Sequence, residues 1–214
     1  LVMNSIFDGE QVSAVAEQLP NGGRFSEAIE RIDHLNSADP NRLTRDGAEM
    51  GYEFYFSCLL FAKVVSFCEE ASEALLIAAR SQHICRWEIP RANYPEGRAG
   101  YLKWRADLKC FHADKTASIL TELDYSTEFI ETVRTINLKK DLKGNPDSQA
   151  MEDALCLVFL ESQFSDFRLK TTEEKMVTIL QKTWVKMSEQ GKNTALGLKL
   201  GEEEARLVGL ALNG

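Results

Sequence analysis

The chain has 214 residues, 44% of them hydrophobic and 27% charged, which suits one large or two small globular domains with a real core. Its formal net charge of −8 argues against general binding to nucleic acid or to an anionic membrane surface, but leaves room for a local basic patch that takes an anionic small molecule. No apolar run reaches the roughly 18 residues of a membrane span, and the five cysteines form no CxxC pair, so no disulfide framework or zinc ribbon is expected.

The first residues lack the basic region and small-residue cleavage site of a secretory signal, so a reducing compartment, cytoplasmic or nuclear, is expected. Residues 1–25 read as a lead-in with a short helix at Gln11–Leu19, broken by Pro20-Asn21-Gly22-Gly23. Phe25, Ile29, Ile32 and Leu35 predict a helix over Ser26–Asn36, with Ser26 as its N-cap. Residues 47–68 read as a long helix, apolar on most faces and therefore central. A helix is predicted over Ser72–Trp87, then a loop over residues 88–100 fixed by Pro90, Pro95, Gly97 and Gly100. A helix resumes near Tyr101 and runs to Leu123.

Ser126-Thr127-x-Phe129 opens the next helix, to about Leu138, and Lys139–Asp147 is a polar turn. A long apolar helix over Ser148–Phe167 follows. Thr171-Thr172-Glu173-Glu174 resembles a capping box before a helix over residues 173–189, and a last amphipathic helix spans Glu202–Leu212. No period-2 alternation persists long enough for a sheet. The predicted fold is all-α: one domain over residues 26–214, with about seven or eight helices.

The stretch from Ala78 to Ala113 stands out. It holds two of the three histidines, His83 and His112, and between them Arg86, Arg91, Arg98 and Arg105 alternate with Trp87, Tyr94, Tyr101 and Trp104. Guanidinium forks suit phosphate or carboxylate, and aromatic faces suit a base or ring, so Arg86, Arg91, Arg98, Arg105, Tyr94 and Trp104 are the substrate-binding candidates. The bland alternative is that the arginines pair with the excess carboxylates and the aromatics pack. Glu152-Asp153 opens an apolar run, Ala154–Leu160, that would bury a carboxylate, and a buried charge needs a partner or a metal. Two histidines and a carboxylate on facing helices are a common divalent-metal set. Asp33 and Asn36, three apart with His34 between, form a second set. The ordinary reading of Asp33 is an ion pair, and of Asn36 a helix end.

The string LLIAARSQHICRW resembles the helix of the HD-domain metal phosphohydrolases that ends in a His-Asp pair, with Gln82-His83 in the place of that pair. FHADKTASILTEL and QAMEDALCLVFL are similar to the family's later helices, which implies that His112 and Asp153 match its histidine and last aspartate. Glu53 stands one helix upstream, where the family has its first histidine. The resemblance implies an HD-domain-like helical fold, a divalent metal (Zn, Mn, Ni or Fe) held by Glu53, His83, His112 and Asp153, and Glu152 or Asp114 as general base. The function it implies is a metal-dependent phosphohydrolase acting on a small phosphorylated substrate or nucleotide. Iron-dependent oxygenases of the same fold and a catalytically inactive anion- or nucleotide-binding module are the alternatives. An anionic small molecule and a second copy of the chain are the partners considered.

Four longer strings, IDHLNSADPN, AARSQHICRWEIPRANYPEGRAGYLKWR, FHA and EDALCLVFLE, resemble domain-of-unknown-function family 4202, whose name implies no activity. KMSEQ at Lys186–Gln190 is too isolated to stand for the KMSKS motif of a tRNA synthetase, and no HIGH motif accompanies it.

Overall fold

A computed structural model of the chain describes residues 9–45, 47–142 and 144–213. Residues 1–8 of the expected lead-in lie outside them. Among the described residues the chain forms eleven α-helices and one two-stranded antiparallel hairpin, so the all-α class holds with more and shorter helices than periodicity suggests. None of these helices is long and apolar enough to cross a membrane. The chain divides into two compact units, Leu1–Asp141 and Leu142–Gly214.

The first unit opens with α1 (Glu10–Ala16) and α2 (Gly22–Ser37). The helix α2 begins inside the Asn21-Gly22-Gly23 cluster read as a breaker, and Ser26 lies within it, not at its cap. The reason lies in packing: Phe25, Ala28, Ile29 and Ile32 are buried, and extending the helix backward keeps that stripe on one face. A hairpin follows, β1 (Arg42–Arg45) paired with β2 (Ala48–Gly51). Strands of four residues are too short to display a period. Tyr52–Phe67 forms α3, and Glu73–Ser81 forms α4.

The centre of the unit is α4, not α3. All its residues from Ala74 to Ser81 are buried, and it packs against α2, α3, α5 (Gly97–Glu122) and α6 (Thr127–Asn137). Alanines at 74, 78 and 79 let four neighbours approach its backbone. Its start is set by Ser72, whose hydroxyl accepts from the Leu75 N–H at 3.0 Å. Ser126 caps α6 in the same way, through Phe129 at 3.2 Å. One internal ion pair ties α2 to α4: Arg80 Nε and Nη2 donate to the two Asp33 oxygens at 2.6 and 2.8 Å. Asp33 is therefore an ion-pair partner.

The second unit contains α7 (Pro146–Val158), α8 (Phe164–Arg168), α9 (Glu173–Lys186), α10 (Glu189–Leu196) and α11 (Glu202–Asn213). A π turn at Phe159–Gln163 divides the single helix expected over 148–167. Thr172 is the N-cap residue of α9 but makes no side-chain capping bond. Met151, Ala154, Leu157, Phe164, Met176 and Leu180 are fully buried and form the core of this unit.

Candidate functional site

The site lies in the first unit, where the chain turns out of α4. Ile84 N donates back to Ser81 O and Arg86 N to His83 O, closing two tight turns in succession. Cys85 takes a left-handed conformation with φ of 51°, which costs a residue with a Cβ about 1 kcal/mol. Two side chains hold the turn in place. Asn36 Oδ1, from the end of α2, accepts from the Cys85 N–H at 3.1 Å, and His112 Nδ1, from α5, donates to Ile84 O at 2.8 Å. Asn36 thus serves as a clamp on the turn.

That second bond fixes the chemistry of His112. A carbonyl only accepts, so Nδ1 carries the proton and Nε2 carries the lone pair. The ring is 2% exposed, and Nε2 has no hydrogen-bond partner. Burial, reinforced by Arg86, Arg105 and Lys115, pushes His112 down to about 4 despite the bond to Ile84, so it is neutral at physiological pH.

His83 is oriented by the opposite logic. Arg86 Nη1 lies 3.4 Å from His83 Nε2, and a guanidinium only donates. The proton of neutral His83 therefore sits on Nδ1, 3.5 Å from Glu53 Oε2. Burial, then Arg86 and His112, hold His83 well below the ordinary histidine range. Its ring stacks on Phe56 at 4.4 Å between centroids and stands 5.8 Å from the ring of His112. Glu53 itself is 5% exposed. Its N–H donates to Asp39 Oδ2 at 2.9 Å, and its carboxylate lies 3.9 Å from Arg86 Nε. Burial raises it to about 8 against the pull of Arg86.

Gln82, His83, Arg86, Arg105, Lys109 and His112 line a small cleft. Arg105, Lys109 and His112 fall at three- and four-residue spacing on one face of α5. Among the described residues, neither Arg105 nor Lys109 is ion-paired with a carboxylate. Lys139 and Leu108 complete the lining. The cleft is therefore cationic, with two neutral imidazoles in its lining.

The remaining candidates are not in the lining of this cleft. Arg91 donates to Tyr94 O, Tyr94 Oη donates to Asp107, and Arg98 is exposed on the first turn of α5. Trp104 Nε1 donates to Ile89 O at 2.8 Å, and its ring lies 5.0 Å beneath the Arg86 guanidinium, so it positions an arginine of the cleft. Asp114 is exposed and ion-paired with Arg134 at 2.5 Å. Glu152 and Asp153 belong to the second unit. Glu152 lies 3.4 Å from Lys186. Asp153 accepts from Ser188 N at 2.8 Å, Ser188 Oγ at 2.5 Å and Gln149 Nε2 at 3.1 Å, which seats the start of α10. Lys109, Lys139 and Gln82 complete the cleft without having been singled out as ligand contacts in the sequence. The spacing of 105, 109 and 112 is the signal that finds Lys109.

The donor set does not assemble a metal site by itself. Among the described residues no group of three His, Cys, Asp or Glu side chains is placed to hold an ion, and Glu53, His83 and His112 lie beside the cations Arg86, Arg105 and Lys109. Positive charge beside the nitrogens favours an anion over a cation.

No curated protein and no solved structure matches the chain. A family model does, over residues 26–208, and on that evidence the chain belongs to the family described as Domain of unknown function (DUF4202).

Proposed function

We propose that the chain binds a small phosphorylated molecule in the His83–His112 cleft and hydrolyses its phosphate ester. The observation that carries the reading is the unpartnered Nε2 of His112 in the lining of a cleft whose Arg105 and Lys109 have no carboxylate partner among the described residues. Arg86, Arg105 and Lys109 would take the phosphoryl oxygens and stabilise the charge they gain in the transition state. His112 Nε2 would accept a proton from a water as its oxygen bonds to phosphorus, while the departing oxygen takes a proton from solvent. An anion beside a neutral imidazole raises its affinity for a proton, so binding itself would strengthen this base.

A metal-dependent hydrolase is the second reading. It rests on two buried atoms without hydrogen-bond partners, His112 Nε2 and Glu53 Oε2, which are both donor types that divalent metals accept. A metal here would draw its other ligands from water and substrate.

One experiment separates the readings. The protein is treated with a chelator, and calorimetric titration with inorganic phosphate is combined with turnover of an aryl phosphate. The same assays are run on His112→Asn, whose amide N–H replaces Nδ1 and keeps the bond to Ile84 while removing Nε2. Phosphate binding in the chelated protein, with turnover reduced at least about a hundredfold in the variant, supports the first reading. Turnover that returns only with added Zn²⁺, Mn²⁺ or Ni²⁺ supports the second. No binding of phosphate under either condition overturns both.

A further inference from the structure

Two residues in the lining of the cleft carry buried acceptor atoms as well. Gln82 is 3% exposed and lines the cleft. Its Nε2 faces Asn137 O at 3.4 Å, and because a backbone carbonyl only accepts, this bond assigns the amide orientation and leaves Oε1 as the remaining atom. That Oε1 is buried and has no hydrogen-bond partner. His112 Nε2, also buried and unpartnered, offers a second lone pair. Neither atom has anything to gain from the bare oxygens of a fully ionised anion. A lone pair held against such an oxygen is repelled, and a buried acceptor left without a donor costs about 1–3 kcal/mol. Arg86, Arg105 and Lys109, in contrast, call for negative oxygens.

A single ligand class satisfies both demands: an oxyanion that is negatively charged and still carries a proton. We infer that the cleft selects a protonated phosphoryl group, with its P–OH donating to Gln82 Oε1, its other oxygens on Arg86, Arg105 and Lys109 and His112 Nε2 left for the attacking water, and that it rejects sulfate, which has no proton to give. The inference rests on the phosphate-binding reading above and adds the protonation state of the ligand to it. Two sources share this chemistry. Inorganic phosphate keeps a proton throughout the neutral range. A phosphate monoester keeps its last proton only below a pKa of about 6.

The test is calorimetric titration of the wild-type protein with inorganic phosphate, sulfate and phenyl phosphate at three pH values between about 5.5 and 8. Dividing each affinity by that of sulfate at the same pH cancels the protein's own titration. Phosphate is expected to bind at least about tenfold more tightly than sulfate at every pH, the size of one good hydrogen bond. For phenyl phosphate the ratio is expected to fall toward one as the pH rises, which distinguishes the ester from the free anion. Gln82→Met, close in shape and without the acceptor, is expected to weaken phosphate and leave sulfate unchanged. If that variant does not fold, the wild-type ratios decide alone. Equal affinity for phosphate and sulfate in the wild type overturns the inference while leaving an anion site intact. No affinity for any of the three overturns the reading on which it rests.

Discussion

Glu53 and His112 are two groups driven in opposite directions by one burial, and their linkage to folding has opposite signs. A carboxyl raised from its ordinary value to about 8 holds its proton in the folded chain, so stability falls as pH rises from about 4.5 through 8. An imidazole lowered to about 4 resists protonation in the folded chain, so its share of stability is complete above about 6.5 and is lost as pH falls toward 4. Above about 6.5 only the Glu53 slope remains. Glu53→Gln is therefore expected to abolish a decline of the order of a few kcal/mol between about pH 6.5 and 8.5 in urea unfolding. Equal slopes in both proteins would mean that Glu53 is ionised on Arg86 throughout. Asp33 makes the complementary case. Arg80 has only 3% of its side chain exposed, and Asp33→Ala would strand it, at an expected cost of about 3 kcal/mol or more. A loss below about 1 kcal/mol, the range of exposed pairs, would show that water reaches the guanidinium.

At the scale of elements, legibility followed whether a signal is local. Ser126 could be read as a cap because its partner, Phe129, is three residues on, and the helix it opens ends within a residue of the expected place. Ser72 is of the same kind, and Ser72→Ala is expected to cost about 1 kcal/mol in equilibrium unfolding, since α4 sits at the centre of its unit. No change would mean that packing alone fixes where α4 begins. The end of α4 was not legible. No proline or glycine interrupts Gln82–Trp87, but Asn36 and His112, remote in sequence, hold the turn at Ile84 and Cys85. The helix α10 was missed although its cap is local, Ser188 Oγ accepting from Gly191 N at 3.0 Å, because the helix expected over residues 173–189 runs straight across Ser188. The π turn at Phe159–Gln163 carries no proline or glycine to announce it.

The resemblance to domain-of-unknown-function family 4202 held over residues 26–208, and His83, Arg86, Arg105 and His112, all within the singled-out stretch Ala78–Ala113, line one cleft. Asp153 was marked as a ligand by the HD-domain resemblance and by its apolar neighbourhood, and that neighbourhood explains burial without saying what satisfies the charge. Its carboxylate is taken up by Ser188 and Gln149, and Gly191 leaves no room for a Cβ, which would stand 2.6 Å from Asp153 Oδ1. Asp153→Ala is accordingly expected to destabilise the second unit by about 3 kcal/mol while phosphate affinity in the folded protein stays within a factor of about two. A loss of phosphate binding in folded Asp153→Ala would make that aspartate part of the site.

The segment Asn36–Asp39 has a further meaning. Asn36 pins the turn that presents His83, and Asp39 pins the first peptide of the helix that presents Glu53. The backbone of the same segment lies so close to Gly51 that a Cβ there would stand 2.8 Å from Asn36 O. Four consecutive residues thus act as a jig, setting the spacing between an acid and an imidazole that they do not themselves join. Changes at Asn36, Asp39 or Gly51 would look conservative on any map of the cleft, since none of the three lines it. They would nonetheless shift the Glu53–His83 separation, and with it the proton balance of the whole site, which gives the string IDHLNSADPN a physical reason to be as specific as it is.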